Sequence, residues 1–212
     1  RDATVRILMH APTNLLESHS HYEAIRDNLI NSNFGELLFP YSLSRALMVE
    51  SVEIDYYNFL KKNTTLDPEM INKQYDCLML PLANNFRSSF SAKLESLTEY
   101  LRKITIPIIV PCIGWQGSLG QEPESGLPRD DVNREFCKVV LERSSTIGLR
   151  GESTGRYLKH LGFKPEEDFM VLGCPSMYMF GNSLPTPKPL NLTKESRINL
   201  NNKLPLPYKI HK

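Results

Sequence analysis

No apolar run in the sequence approaches the roughly 18 residues that a helix needs to cross a membrane, so no segment reads as a transmembrane helix. Nor is there an excess of one charge: 25 Lys and Arg face 24 Asp and Glu, a formal net charge of +1. A nucleic-acid protein ordinarily carries a basic surplus, so that class is set aside. Cysteine is sparse and scattered. Cys77, Cys112, Cys137 and Cys174 form no Cys-x-x-Cys pair, which excludes a zinc ribbon and a thioredoxin-like motif by spacing. In a chain of 212 residues, 41% of them apolar, buried free thiols are the better reading. Gly-x-Gly-x-x-Gly and the Walker loop are absent, and with them two common routes to a nucleotide. Gly-x-Ser-x-Gly is absent too, which removes the usual α/β-hydrolase elbow.

What is present is an alternation. Short apolar runs rich in β-branched residues recur at Val5-Arg6-Ile7-Leu8-Met9, 52–57, Cys77-Leu78-Met79-Leu80, 106–110, 146–149 and 169–172. Segments of helical spacing stand between them. Leu43, Leu47 and Met48 mark one, with Pro40 expected in its first turn. Leu94, Leu97 and Leu101 mark a second, and Val132, Phe136, Val139 and Val140 a third. A fourth carries Tyr157, Leu158 and Leu161, with Ser153 as its expected cap and Gly162 after its end. Short, fully apolar strands separated by helices predict an α/β, Rossmann-like, doubly wound and mainly parallel sheet over residues 1–181. Five of the 15 prolines fall in residues 182–212, which have no core-forming pattern and read as a linker or disordered tail.

In such a sheet ligands bind beyond the carboxyl ends of the strands. The segments at those ends are rich in Gly, Asn, Ser and charge: 31–36, 81–87, 112–118, 150–154 and 173–176. Arg150 follows a buried strand and precedes a helix, where a guanidinium beside free helix amides would hold a carboxylate or phosphate. A surface pairing with Glu152 is the alternative. Glu36 suits a general base, but on the residues alone the ordinary chemistry of a helix's first turn is the better reading. Asn33-Phe34-Gly35 offers a tight turn with close backbone approach, or a plain connection. Trp115 suits either a sugar face or the core. His10, at a strand end, reads as structural. His19-x-His21 lacks a third ligand and reads as a solvated loop. Cys174 has no identifiable partner base and reads as inert.

Taken in order, these segments resemble the polysaccharide pyruvyl transferase family. Asn33-Phe34-Gly35-Glu36 resembles the family's Asn-x-Gly-Asp turn, with Glu36 where Asp is usual. Ile113-Gly114-Trp115-Gln116 resembles its Gly-x-Gly-x-Gln segment, with Cys112 or Ile113 at the first Gly. Ile147 to Thr154, followed by Leu161-Gly162, is similar to its strand–Arg–Ser/Thr–helix element, and Gly173-Cys174-Pro175-Ser176 to a bacterial Gly-Cys-Pro-Ser form. The resemblance spans residues 31–176 and implies the N-terminal half of a B-type glycosyltransferase architecture, with a second domain beyond the linker.

It also implies transfer of a pyruvyl group from phosphoenolpyruvate to two sugar hydroxyls of a cell-surface glycan, as a ketal. Protonating the enol ether at its methylene carbon gives an oxocarbenium-like centre that a hydroxyl attacks, which calls for an acid, a base and cations for carboxylate and phosphate. Arg150 and Glu36 are then the catalytic candidates. Asn33, Gly35, Asn84, Asn85, Gly114, Trp115, Gln116, Ser153 and Ser176 are the substrate-binding ones. Phosphoenolpyruvate is a donor substrate, and the scheme needs no cofactor and no metal. The partners implied are a sugar or oligosaccharide acceptor and phosphoenolpyruvate. A bacterial member would work in the cytoplasm, a eukaryotic one in the Golgi lumen. The alternatives are a sugar-nucleotide glycosyltransferase of the same architecture, which would answer to a UDP- or GDP-sugar, and a non-catalytic glycan-binding domain, indifferent to phosphoenolpyruvate.

Overall fold

The structure, a computed structural model, describes residues 4–27, 29, 33–61, 66–184, 186 and 188–197. Six strands alternate with helices: β1 (Val5–His10), α1 (His21–Arg26), α2 (Gly35–Leu47), β2 (Val52–Tyr57), α3 (Pro68–Gln74), β3 (Cys77–Met79), α4 (Ser91–Leu101), β4 (Ile108–Ile109), α5 (Asp130–Leu141), β5 (Ile147–Leu149), α6 (Glu152–His160) and β6 (Phe169–Val171). Strands β2-β1-β3-β4 form one sheet, parallel throughout, and β5-β6 a parallel pair. Backbone bonds from Gly148 N to Val110 O (2.8 Å) and from Ile113 N to Gly148 O (3.0 Å) join the two. The spatial order is therefore 2-1-3-4-5-6, with the order reversing between β1 and β3. This is an α/β architecture compatible with the Rossmann-like reading.

Alternation along the strands sorts the core onto two faces. Leu8, Leu78, Ile108, Ile147, Leu149 and Phe169 pack with Ile71 of α3, Leu94 and Leu97 of α4, Phe136 and Val140 of α5 and Leu158 of α6. Their neighbours Ile7, Met9, Cys77 and Met79 turn to the other face, beneath Leu43 and Leu47 of α2. Helices thus lie on both faces, with α2 covering the second at β1 and β3 while Ile109 of β4 and Met170 of β6 stay partly exposed.

Several expectations need correcting. Helix α2 begins at Gly35, so Pro40 lies in its second turn and not in its first. Proline there brings no N–H to the carbonyl four residues back. Met48 is the C-terminal cap of α2 and stays exposed rather than joining Leu43 and Leu47. Ser153 does not cap α6: the cap is Gly151, with no side-chain bond, and Ser153 sits exposed inside the helix. Gly162 does follow the helix end, at φ +94°. Strand β4 is shorter than expected, two residues instead of five. The helices α1 and α3 were not expected. Beyond Tyr178 the described residues carry no helix or strand; Asn31, Ser32 and 198–212 lie outside the described residues. No helix among the described residues is long and apolar enough to cross a membrane.

Two glycines test this packing with opposite signs. A Cβ at Gly148 would stand 2.4 Å from the Pro111 carbonyl oxygen, at the seam between the sheets. Gly148→Ala should cost at least about 1–3 kcal/mol by overpacking. A Cβ at Gly155, mid-α6, would meet Phe169 and Val171 at 3.5 and 3.6 Å, ordinary contacts. Gly155→Ala should stabilise by about 0.5–1 kcal/mol through helix propensity. Urea unfolding of both variants checks the pair; equal effects would contradict the packing described.

Candidate functional site

The site is built by a ladder that outruns its strands. Past the ends of β3 and β4 the backbones keep pairing: Leu82 N to Cys112 O (2.8 Å), Gly114 N to Ala83 O (2.9 Å), Phe86 N to Gly114 O (3.1 Å) and Gln116 N to Phe86 O (2.9 Å). Arg150 N in turn bonds Ile113 O at 2.9 Å. Three strand ends are thereby held in register where open loops would otherwise stand.

Their side chains form a relay. Arg150 donates through Nη1 to Asn84 Oδ1 at 2.9 Å and through Nη2 to Cys174 Sγ at 3.3 Å. Asn84 Nδ2 donates to Gln116 Oε1 at 3.3 Å, and Cys174 Sγ lies 3.0 Å from Ser176 Oγ. Gly114 makes room for this: a Cβ there would meet Asn84 Oδ1 at 2.9 Å and Arg150 Cδ at 3.4 Å. Arg150 is therefore not paired with Glu152. Cys174 is not the partnerless thiol that its sequence context suggests. Burial alone would push its pKa up, but the Ser176 hydroxyl and amide and the Arg150 guanidinium outweigh burial and hold it below the ordinary thiol value. The other three cysteines are free and buried, with thiols pushed up chiefly by burial.

The relay forms one wall of a cavity of about 720 Å³ at the carboxyl end of the sheet. Asn33, Gly35 and Glu36 bring the start of α2 to it. Asn84, Asn85 and Gln116 supply amides, and Arg87, Lys93 and Arg150 supply cations. The Asn33 turn is local: its Oδ1 accepts the Gly35 N–H at 3.0 Å, so helix α2 starts at the cavity rim. Seven of the eleven expected site residues line the cavity, and Gly114 lies directly beneath it. The other three do not line it. The Trp115 ring packs against the core, 6.4 Å from Tyr157, and the residue's backbone N–H donates to Thr154 Oγ1 at 2.9 Å, so it offers no sugar platform here. Ser153 is exposed on α6, and Ser176 bonds the thiol rather than lining the cavity.

Sequence reasoning missed Lys93 and set His10 aside. The His10 ring lines the cavity, 7% exposed, with Nδ1 accepting the Phe59 N–H at 3.2 Å. A separate apolar hollow of about 290 Å³ near α1 and α2 gathers no comparable polar groups. No group of three His, Cys, Asp or Glu able to hold a metal occurs among the described residues; His19 pairs with Glu17 at 3.7 Å. Comparison with known protein-family models, curated proteins and solved structures finds no match, so function is argued from the site itself.

Burial lowers the His10 pKa to about 4, against a smaller upward pull from the Tyr57 backbone. Above about pH 6.5 the ring is neutral folded and unfolded, and contributes no pH dependence. Below it the unfolded chain takes up a proton that the folded ring refuses, so stability falls until about pH 4. The loss over that window should be about 3 kcal/mol. In His10→Asn, whose Oδ1 can stand where Nδ1 does, that component should vanish. Denaturation curves from pH 7 to 4 should show the wild type and the variant converging by this amount; parallel curves would refute it.

Proposed function

We propose that the chain binds phosphoenolpyruvate and a sugar in this cavity and takes part in pyruvyl transfer to sugar hydroxyls of a cell-surface glycan, as a polysaccharide pyruvyl transferase. One observation carries the reading: Arg150, fixed at a strand end by Asn84 and Cys174, lines the same cavity as Glu36 and five carboxamides. A guanidinium suits a carboxylate or phosphate bidentately, carboxamides suit hydroxyls, and Glu36 is the carboxylate among the lining residues, a group that suits a hydroxyl proton. The parallel sheet and its reversal between β1 and β3 fit the N-terminal half of a B-type glycosyltransferase architecture.

In this reading Arg150 holds the donor's anion and offsets charge as phosphate departs. Glu36 removes the proton of the attacking hydroxyl, which balances the proton that the donor's methylene carbon takes up, and Asn33, Asn84, Asn85 and Gln116 orient the sugar. A bacterial chain would act in the cytoplasm.

Thermal unfolding with phosphoenolpyruvate tests the reading. At about 100 times its dissociation constant the ligand should add roughly 2.7 kcal/mol to stability. Arg150→Ala should abolish that gain. A gain with a UDP-sugar and none with phosphoenolpyruvate would favour the glycosyltransferase instead, and a gain only with oligosaccharide a binding domain.

A further inference from the structure

A second group of cations in the cavity lies apart from Arg150. Arg87 and Lys93 flank Phe90, with Arg87 Cζ 5.0 Å and Lys93 Nζ 5.1 Å from its ring centroid. Neither makes an ion pair among the described residues, whereas Arg102, Arg129 and Arg156 each engage two carboxylates. Beside them stands Asn85, 4% exposed, whose Nδ2 has no hydrogen-bond partner; the buried Nε of Arg87 has none either. An unmatched donor at such depth costs about 1–3 kcal/mol, and both of these stand in residues that line the same cavity.

The helix next to them tells the same story. The 3-10 turn Ser88–Phe90 runs into α4, neither has a side-chain cap, and neither carries an acid in its first turn. By contrast, α2, α5 and α6 each carry an acid there. In α4 the first turn holds Lys93, a cation at the positive end of the dipole, which is the unfavourable arrangement. An unmatched carboxamide donor and two cations without carboxylate partners around one space lack a single thing: a multiply charged oxyanion.

We infer that Asn85, Arg87 and Lys93 form a second anion subsite, which takes a phosphoryl group carried by the sugar acceptor. The subsite stands on its own geometry; assigning it to the acceptor rests on the proposed function, in which Arg150 takes the donor. The substrate class is thereby a glycosyl phosphate or diphosphate rather than a neutral saccharide.

Calorimetric titrations with glucose, glucose 1-phosphate, inorganic phosphate and phosphoenolpyruvate test this at low and high salt. Glucose 1-phosphate should bind at least about tenfold tighter than glucose, with an advantage that shrinks in salt. Arg87→Ala and Lys93→Glu should remove the advantage, and Arg150→Ala should leave it. Lys93→Glu places an acid at a helix start, so its melting temperature should be no lower than the wild type's, which separates lost binding from lost folding. Saturating phosphoenolpyruvate should leave glucose 1-phosphate bound. If both variants bind glucose 1-phosphate as the wild type does, the subsite is refuted. If phosphoenolpyruvate displaces glucose 1-phosphate, or is itself lost in both variants, the cations belong to the donor and the acceptor assignment falls. If phosphoenolpyruvate binds nowhere while the phosphate advantage still depends on Arg87 and Lys93, the subsite survives and the pyruvyl-transfer reading is what fails.

Discussion

The backbone ladder between 82–86 and 112–116 is the constraint on which the rest of the site depends. Chain leaving a parallel strand usually turns away at once, and side chains on separate loops then meet only by loop conformation. Here the pairing continues for several residues beyond β3 and β4. Asn84, Gln116 and Arg150 consequently face one another from fixed backbone positions, and the 2.9 Å contact between Arg150 and Asn84 needs no loop closure. Gly114 is the residue that this closeness demands, because a methyl group there would occupy the place of the Asn84 oxygen.

The charges of the molecule divide along the same line. On the outer helices arginine is spent on exposed carboxylates, in pairs that each contribute little in water. At the strand ends the cations are held by neutral groups instead: a carboxamide and a thiol for Arg150, an aromatic ring for Arg87 and Lys93. Neutral partners fix a cation's position without cancelling its charge. An anion entering such a cavity meets oriented charge and has no internal ion pair to break, which is how preorganised sites keep their electrostatic advantage.

How far the sequence discloses this depends on the length of the signal. The strands and the longer helices α4 and α5 were legible because apolar periodicity runs through them. Helices α1 and α3 span too few residues for a period to register, although each carries a local mark: the Ser20–Glu23 capping box and the Asp67-Pro68 start. Most of the cavity lining was legible from the rule that ligands sit beyond strand ends. Trp115 was misjudged because its segment continues as extended chain, so side chains alternate, and Gln116 faces the side opposite to it. Lys93 was missed because a lysine in a helix looks like solvated surface until the helix is seen to lack a cap and an acid.

His10 completes the electrostatic argument. It lines a cavity that already gathers Arg87, Lys93 and Arg150, and an ionised imidazole would add a fourth positive charge beside Glu36. Desolvation prevents that: with a pKa near 4 the ring stays neutral well below physiological pH. Its Nδ1 is occupied by the Phe59 N–H, so in the neutral ring the proton sits on Nε2. The fold thus holds a neutral imidazole at the reversal of strand order, where a parallel sheet opens its crevice. Position and proton are both determined before any ligand arrives, and the cost of holding the histidine there falls on acid stability rather than on the site.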